Sequence, residues 1–246
     1  MILYLYKTKI KKQKEFIMLR VISKQFSIVL VFLIALSVNV FAKDVYIIHG
    51  YKSTSNYGWF NAIAQKLSKE GYKVNILNLP NADKPVLKEW FGAMQKEIQK
   101  IDRDTYFITH SLGGIATLHF LSETFKSQDK GFQVGGVVLV SPFDEELKKL
   151  PIFGSFTDKK PNYQILKNVI KNRVVISAEN DAIVPTDLSY KVAKSLDADF
   201  IQTQKGGHFM ESEGYTDLPL VIEVFQNFSA ESKRSWIYKG ICIPYR

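Results

Sequence analysis

The most constraining feature of this 246-residue sequence is a serine between a strand-like and a helix-like segment. Residues 104–117 read Asp-Thr-Tyr-Phe-Ile-Thr-His-Ser-Leu-Gly-Gly-Ile-Ala-Thr. The apolar run before the serine predicts a buried strand, and the small and apolar residues after Gly113 predict the start of a helix. A sharp strand–serine–helix turn is typical of the nucleophile elbow, G-x-S-x-G. Ser111 is therefore a candidate nucleophile, although Thr109 replaces the first glycine of the motif.

Strand-like and helix-like segments alternate along residues 43–228, which are predicted to form one domain. The predicted strands lie at 44–48, 73–79, 106–108, 135–140, 173–177 and 200–203. The predicted helices lie at 59–67, 86–101, from 114 onward, 188–196 and 217–228, and residues 141–166 are expected to be irregular. This alternation predicts an α/β fold, a three-layer α/β/α sandwich with a mainly parallel sheet of about six strands.

The N-terminal segment, residues 1–42, differs in charge from the rest of the chain. It contains seven of the 33 lysines and arginines and one of the 24 acidic residues, so it carries most of the net charge of +9. A basic region, an apolar run at 26–38 and the small-residue sequence Val40-Phe41-Ala42 together have the layout of a secretory signal peptide. We therefore expect export to the periplasm or the medium. An uncleaved membrane anchor is the alternative, and either Met1 or Met18 starts the chain.

The charge distribution also bears on partners. Because the excess positive charge belongs to the targeting segment, binding to nucleic acid is not expected. Any membrane contact is expected only through that segment. The single cysteine, Cys242, cannot form an internal disulfide. Residues 229–246 have no clear periodicity and are predicted to be a C-terminal tail.

Several polar residues directly follow predicted strands. They are His49-Gly50, Ser111, Ser141, Asp181 and His208. Ligand sites of parallel α/β sheets lie beyond the carboxyl ends of the strands. The sequence therefore predicts one site that gathers these residues along a single edge of the sheet.

A nucleophilic serine needs a general base, and the base needs an acid that orients it. His208 is the predicted base because it is the histidine that follows the serine on a loop after a strand. His119, the other histidine after the serine, lies within the predicted elbow helix. The acid is expected after the fifth strand, where Asp181 is favoured over Glu179 because it precedes the apolar sequence Ala182-Ile183-Val184, which would bury it.

Acyl transfer also requires donors for an oxyanion and a pocket for the acyl group. The backbone N–H groups of Leu112 and Tyr51 are the predicted oxyanion donors. Phe143, Phe153 and Phe156 lie between the fourth and fifth predicted strands and are expected to line a narrow apolar pocket.

The chain resembles the small serine hydrolases of the retinoblastoma-binding-protein-9-like family, within the α/β-hydrolase superfamily and including its bacterial members. The matching segments are His49-Gly50-Tyr51, Trp59-Phe60, Leu79-Pro80-Asn81 followed by Trp90, Thr109-His110-Ser111-Leu112-Gly113, Asp181-Ala182-Ile183-Val184-Pro185 and Gly207-His208-Phe209. The resemblance implies an α/β-hydrolase fold with Ser111 as nucleophile, Asp181 as acid and His208 as base. It also implies hydrolysis of small carboxylic esters without a cofactor or metal.

The predicted function is a serine hydrolase that cleaves small carboxylic esters through an acyl-enzyme on Ser111. Its partner is then a small-molecule ester, and no oligomeric state is predicted. One alternative is a thioesterase or acyltransferase that uses the same three residues. Another is a binding protein that keeps the fold without turning over a substrate.

Overall fold

Six parallel strands form one sheet in the computed structural model, which describes residues 43–127 and 131–229. The strands are β1 (Asp44–Ile48), β2 (Lys73–Leu77), β3 (Thr105–His110), β4 (Val134–Val140), β5 (Ile170–Ala178) and β6 (Asp199–Thr203). Their order across the sheet is β2-β1-β3-β4-β5-β6, and each neighbouring pair is parallel. The predicted targeting segment lies outside the described residues, as does the tail from residue 230 onward.

Seven α-helices flank the sheet in the described part of the chain. They are α1 (Phe60–Lys69), α2 (Leu87–Glu97), α3 (Leu112–Thr124), α4 (Gly154–Thr157), α5 (Tyr163–Val169), α6 (Thr186–Leu196) and α7 (Pro219–Ser229). Two 3₁₀ turns, Pro151–Phe153 and Glu211–Glu213, complete the regular structure. The expected three-layer α/β/α sandwich, and the α/β-hydrolase fold that the resemblance implied, are confirmed.

The two faces of the sheet bury separate apolar cores. Alternate residues of β1 divide between them, because successive side chains of a strand point to opposite faces. Val45 and Ile47 belong to a core that includes residues of α1 and α7, whereas Tyr46 and Ile48 belong to a core that includes residues of α2, α3 and α6. The central strands are buried on both sides, so their sequences are almost continuously apolar.

The segment between β4 and β5 is more regular than the sequence analysis expected. Helix α5 lies there, together with α4 and a 3₁₀ turn. Asn162 caps α5, because its side-chain oxygen accepts hydrogen bonds from the N–H groups of Gln164 (3.1 Å) and Ile165 (3.2 Å). The prediction of an irregular segment is wrong at this point, since two short helices do not produce a recognisable helical period.

The strand order places a crevice at the ends of β1 and β3. β1 pairs with β2 on one side and with β3 on the other. The chain therefore continues from β1 toward one edge of the sheet and from β3 toward the opposite edge. Ile48 and Thr109, near the carboxyl ends of the two strands, are aligned in register. Such a switch point is where open α/β sheets bind ligands.

The elbow helix α3 passes unusually close to the end of β1. A Cβ atom on Gly113 would lie 2.6 Å from the carbonyl oxygen of Ile48 and still closer to that of His49. A Cβ on Gly114 would lie 3.4 Å from Thr109 Oγ1 and 3.1 Å from Pro142 Cβ. The second of the paired glycines therefore makes room for the threonine that replaces the first glycine of the elbow motif.

We predict that Gly113→Ala destabilises the fold by about 3 kcal/mol or more, because backbone atoms cannot move aside for the new methyl group. Gly92→Ala is the matched control. Gly92 lies inside exposed α2 with no atom within 4 Å of its hypothetical Cβ, so alanine is expected to stabilise by roughly 0.5–1 kcal/mol. Urea unfolding of both variants measures the difference, and equal effects would contradict the close approach.

Candidate active site

Ser111 stands at the turn between β3 and α3 in a strained backbone conformation. Its φ of 54° and ψ of −125° are unusual for a residue with a side chain. The turn is fixed by the Ser111 N–H, which donates to Val140 O at 2.8 Å. Gly50 approaches the serine from the end of β1, and a Cβ there would lie 3.0 Å from Ser111 Cβ. The serine hydroxyl is thereby held at the switch-point crevice.

Ser111, His208 and Asp181 form a chain of hydrogen bonds across the ends of β3, β6 and β5. Ser111 Oγ lies 2.9 Å from His208 Nε2, and His208 Nδ1 lies 2.8 Å from Asp181 Oδ2. All three residues are buried. A carboxylate only accepts hydrogen bonds, so Nδ1 carries the proton in the neutral ring and Nε2 is free to accept from the serine hydroxyl.

The second oxygen of Asp181 is held by the backbone. Oδ1 accepts hydrogen bonds from the N–H groups of Ile183 (2.9 Å) and Val184 (2.8 Å). Burial raises the pKa of Asp181, but the contact with His208 and these two N–H groups outweigh it, so the pKa lies below the ordinary 3.8. Glu179, the alternative acid, is exposed, and its N–H pairs with Thr203 O at 2.8 Å. The structure therefore brings Asp181, and not Glu179, to the histidine.

Asn180 fixes the loop that carries His208. Its Oδ1 accepts hydrogen bonds from the N–H groups of Gly206 and Gly207, both at 2.9 Å. Trp59 supports the same loop from α1, because its Nε1 donates to Phe209 O at 3.1 Å. The loop that bears Asp181 is thus linked to the loop that bears His208 by the Asn180 side chain as well as by the contact between Asp181 and His208.

Glu213 holds the other side of this loop. Its Oε2 accepts from the N–H of His208 itself (2.8 Å) and from that of Met210 (3.0 Å). Gly207 has a φ of +56°, and a Cβ there would overlap the Glu213 carboxylate. Sequence reasoning missed Asn180 and Glu213, since no sequence spacing predicts which backbone N–H groups will donate hydrogen bonds to a given side-chain oxygen. The Gly206-Gly207 pair was the available signal of a tightly packed loop.

His110 is a buried histidine that directly precedes the serine. Its Nε2 donates to His208 O at 2.8 Å, and the two rings lie 4.9 Å apart. Burial, reinforced by the neighbouring His208, lowers the pKa of His110 to about 3. His110 is therefore neutral at physiological pH and holds the backbone of His208 in place.

His49 and His119 also serve as neutral hydrogen-bonding residues. His49 Nε2 accepts from Leu79 N–H at 2.9 Å, so its Nδ1 donates to Gly50 O at 2.8 Å. His119 Nε2 donates to Phe156 O at 2.9 Å. Burial lowers the pKa of both rings, although their hydrogen bonds to backbone carbonyls partly oppose it.

The two expected oxyanion donors lie on either side of the crevice. Leu112 is the first residue of α3, where a backbone N–H has no acceptor within the helix. Tyr51 follows Gly50 in the loop after β1, and this loop faces Ser111. Both positions are those that the sequence analysis assigned.

A cavity of about 440 Å³ opens next to Ser111. Its lining residues are Gly50, Tyr51, Lys52, Ser53, Tyr57, His110, Ser111, Leu147, Lys149, Leu150, Phe153, Ala182, Ile183, His208 and Met210. Phe153 lies in the wall as expected, and its ring contacts that of Tyr51 at 5.1 Å between centroids. Phe143 does not reach the cavity, because its fully buried ring packs behind Phe153 at 5.7 Å. Phe156 packs on Trp90 instead, at 5.4 Å.

Two features are absent from residues 43–127 and 131–229. No group of three or more His, Cys, Asp or Glu side chains is arranged to bind a metal ion there. None of the helices in these ranges has the length and apolar character needed to cross a bilayer.

A six-stranded parallel sheet flanked by helices, with a serine on a strained turn after β3, defines an α/β-hydrolase fold. The family described as Serine hydrolase matches residues 45–227, and the chain belongs to this family. The resemblance to a small serine hydrolase family is thereby confirmed, and the protein is a hydrolase.

Comparison with individual proteins agrees with this assignment. The chain is 36% identical to the protein YdeN of Bacillus subtilis (strain 168) over 192 residues, covering 78% of this chain and 99% of that one. The crystal structure of the ydeN gene product superposes with a TM-score of 0.73, covering 77% of this chain and all of that one. Est1E from Butyrivibrio proteoclasticus shares the fold, with a TM-score of 0.55, 15% identity and coverage of 76% and 86% of the two chains.

We predict that His110 makes the protein less stable in mild acid. Its pKa is lower in the folded than in the unfolded protein, so between about pH 6.5 and 3 the unfolded chain binds the extra proton, and stability falls as pH decreases through this range. At pH 5 the loss from this residue is on the order of 1–2 kcal/mol relative to pH 7.

His110→Gln is the informative variant, because glutamine can still donate to His208 O and does not titrate. Urea unfolding at pH 7 and pH 5 should show a smaller drop in stability for this variant than for the wild type. His49 and His119 contribute equally in both proteins, so an unchanged drop would show that His110 is not the responsible group.

Proposed function

We propose that this protein is a serine esterase that cleaves small carboxylic esters through an acyl-enzyme on Ser111. The observation that carries the proposal is the hydrogen-bonded chain from Ser111 Oγ through His208 to Asp181. The apolar cavity beside the serine supports a small-molecule substrate, because its volume of about 440 Å³ lies within the range of small-molecule binding sites.

The first half of the reaction forms the acyl-enzyme. Ser111 Oγ bonds to the ester carbonyl carbon while its proton passes to His208 Nε2. Asp181 stabilises the resulting imidazolium through Nδ1, and its lowered pKa keeps it ionised for this role. The N–H groups of Leu112 and Tyr51 donate to the oxyanion. The C–O bond then breaks, and His208 returns the proton to the departing alcohol.

The second half releases the acid. A water molecule gives its proton to His208 Nε2 and attacks the acyl carbon, after which the bond to Ser111 Oγ breaks and the serine recovers its proton. His208 Nε2 accepts and donates each proton that moves. This nitrogen therefore has to stay within hydrogen-bond distance of Ser111 Oγ throughout the reaction. The backbone contacts of His208 with His110 and Glu213 support that requirement.

We predict that Ser111→Ala and His208→Ala each remove nearly all hydrolysis of p-nitrophenyl butyrate, by about 10⁶ in turnover. The double variant should lose no more than either single variant, since the residues act as a unit. Circular dichroism would verify that the fold is retained. Additive losses would contradict the shared mechanism.

A fluorophosphonate probe and a matched thioester extend this experiment to the other two hypotheses. Labelling of the wild type but not of Ser111→Ala would exclude a binding protein without an activated serine. Butyryl thioester hydrolysed much faster than the butyryl ester would favour the thioesterase.

The acid is tested separately. Asp181→Asn is expected to lower turnover by about 10⁴, because an amide at this position favours the wrong tautomer of His208. Glu179→Gln is the matched control and should change turnover little, since Glu179 is exposed and away from the histidine. Steady-state kinetics on the same ester compares them, and a larger loss for Glu179→Gln would transfer the role to that residue.

A further inference from the structure

The cavity beside Ser111 has largely apolar walls, and basic residues outnumber acidic ones among those that line it. Lys52 and Lys149 line it, and no aspartate or glutamate is among its described lining residues. The histidines in the wall are His110, whose pKa is lowered to about 3, and His208. Lys52 and Lys149 supply the ammonium groups of this cavity, and no carboxylate among its described lining residues opposes them.

Both ammonium groups lie against residues of the cavity wall. Lys149 Nζ donates to Ala182 O at 3.4 Å, and Lys52 Nζ lies 5.3 Å from the centre of the Tyr51 ring. Tyr51 in turn contacts Phe153, so the loop of Lys52 and the segment of Lys149 form adjoining walls. Neither lysine has a carboxylate partner within 4.0 Å in the part of the chain that the structure describes.

A third donor lies next to Lys52. Ser53 also lines the cavity; its side chain is 95% buried, with 5% exposed, and Oγ has no hydrogen-bond partner. A buried hydroxyl without a partner is unfavourable in the folded protein, so its presence beside a binding cavity needs an explanation. The turn before it is fixed, because Lys52 has a φ of 51° and its N–H donates to Ala82 O at 2.8 Å.

The neighbouring acidic side chains belong to a different cavity. Glu145, Glu146 and Asp187 line a second cavity of about 490 Å³ on the other side of Lys149. Glu145 is already paired with Lys160 (3.2 Å) and Lys191 (2.9 Å). Lys148, Lys149 and Lys191 line that second cavity as well and balance its three acidic residues, so the excess of positive charge lies at the cavity that contains Ser111.

We propose that the ester substrate carries an anionic group, which Lys52, Ser53 and Lys149 recognise at the wall of the cavity next to Ser111. The inference rests on the proposed esterase function and adds a substrate class to it. The apolar surface holds the uncharged part of the substrate, and the two ammonium groups and the hydroxyl supply donors for a carboxylate or a phosphate.

The test compares esters that differ only in charge. The first pair is the p-nitrophenyl monoester of adipic acid and its terminal primary amide, which place a charge or a neutral isostere on the acyl side. The second pair is 4-carboxyphenyl butyrate and 4-carbamoylphenyl butyrate, which place them on the alcohol side. The measured quantity is the ratio of kcat/KM for the anionic to the neutral member of each pair.

We expect a ratio of about five or more in at least one pair for the wild type, the order of effect of a solvent-accessible ion pair. Lys52→Met and Lys149→Met should each lower that ratio about two-fold, and the double variant about five-fold, to a value near one. Added salt should lower the wild-type ratio as well. Lys148→Met is the matched control: Lys148 adjoins Lys149 in the chain but does not line this cavity, so the ratio should not change.

Ser53→Ala separates ligand binding from a structural role. If the hydroxyl binds the anion, alanine lowers the ratio about two-fold and leaves the thermal midpoint unchanged or higher, since an unpaired buried group is removed. A lower midpoint with an unchanged ratio would make Ser53 structural and overturn its part in recognition.

A ratio near one in both pairs, or a ratio that the Lys52 and Lys149 variants leave unchanged, would overturn the proposal. Hydrolysis of the neutral esters keeps this outcome distinct from failure of the esterase function. Neutral hydrolysis that Ser111→Ala abolishes would leave the proposed function standing without the charge preference. Absence of any Ser111-dependent hydrolysis would overturn the proposed function itself.

Discussion

The close approach of helix α3 to the end of β1 is the constraint on which the rest of the site depends. Gly113 lies so near the carbonyl oxygens of Ile48 and His49 that no side chain fits between them. That contact forces the sharp turn at Ser111 and its positive φ. It also brings the loop of Gly50 and Tyr51 against the serine. The absence of a side chain at Gly113 thereby allows the candidate nucleophile Ser111, a candidate oxyanion donor and a cavity wall to meet.

His208 is positioned largely through its backbone. Its N–H is held by Glu213, its carbonyl by His110, and the two glycines before it by Asn180. A histidine on a glycine-rich loop would otherwise have many conformations, because glycine adds backbone freedom. Hydrogen bonds from side chains of separate segments remove that freedom while leaving both ring nitrogens available to Ser111 and Asp181. The loop can therefore be glycine-rich in sequence and still hold its histidine in one place.

Sequence reasoning succeeded where the signal is local and failed where it depends on distant contacts. The strands β1 and β3 and the turn at Ser111 were predictable, because apolar runs and small residues at fixed spacing reflect the packing of one segment. The order of residues along the chain led to the same Asp181 and His208 that the fold brings together. Phe143 was wrongly predicted to line the cavity. Phe143 and Phe153 are the same residue type in the same segment, and only the packing of their two rings decides which one reaches the cavity. Helix α5 was missed because it is too short to display a period.

The neutrality of His110 connects the packing of the core to the proposed chemistry. Its ring lies 4.9 Å from that of His208, so a charge on it would repel a second charge on His208. Burial beneath the aromatic rings of Trp59 and Phe60 keeps the pKa of His110 at about 3 and so prevents that charge. When His208 accepts a proton from Ser111, it then faces the carboxylate of Asp181 without a competing cation on the adjacent ring. The apolar core between the sheet and α1 thus supports the imidazolium indirectly, by keeping its neighbour uncharged.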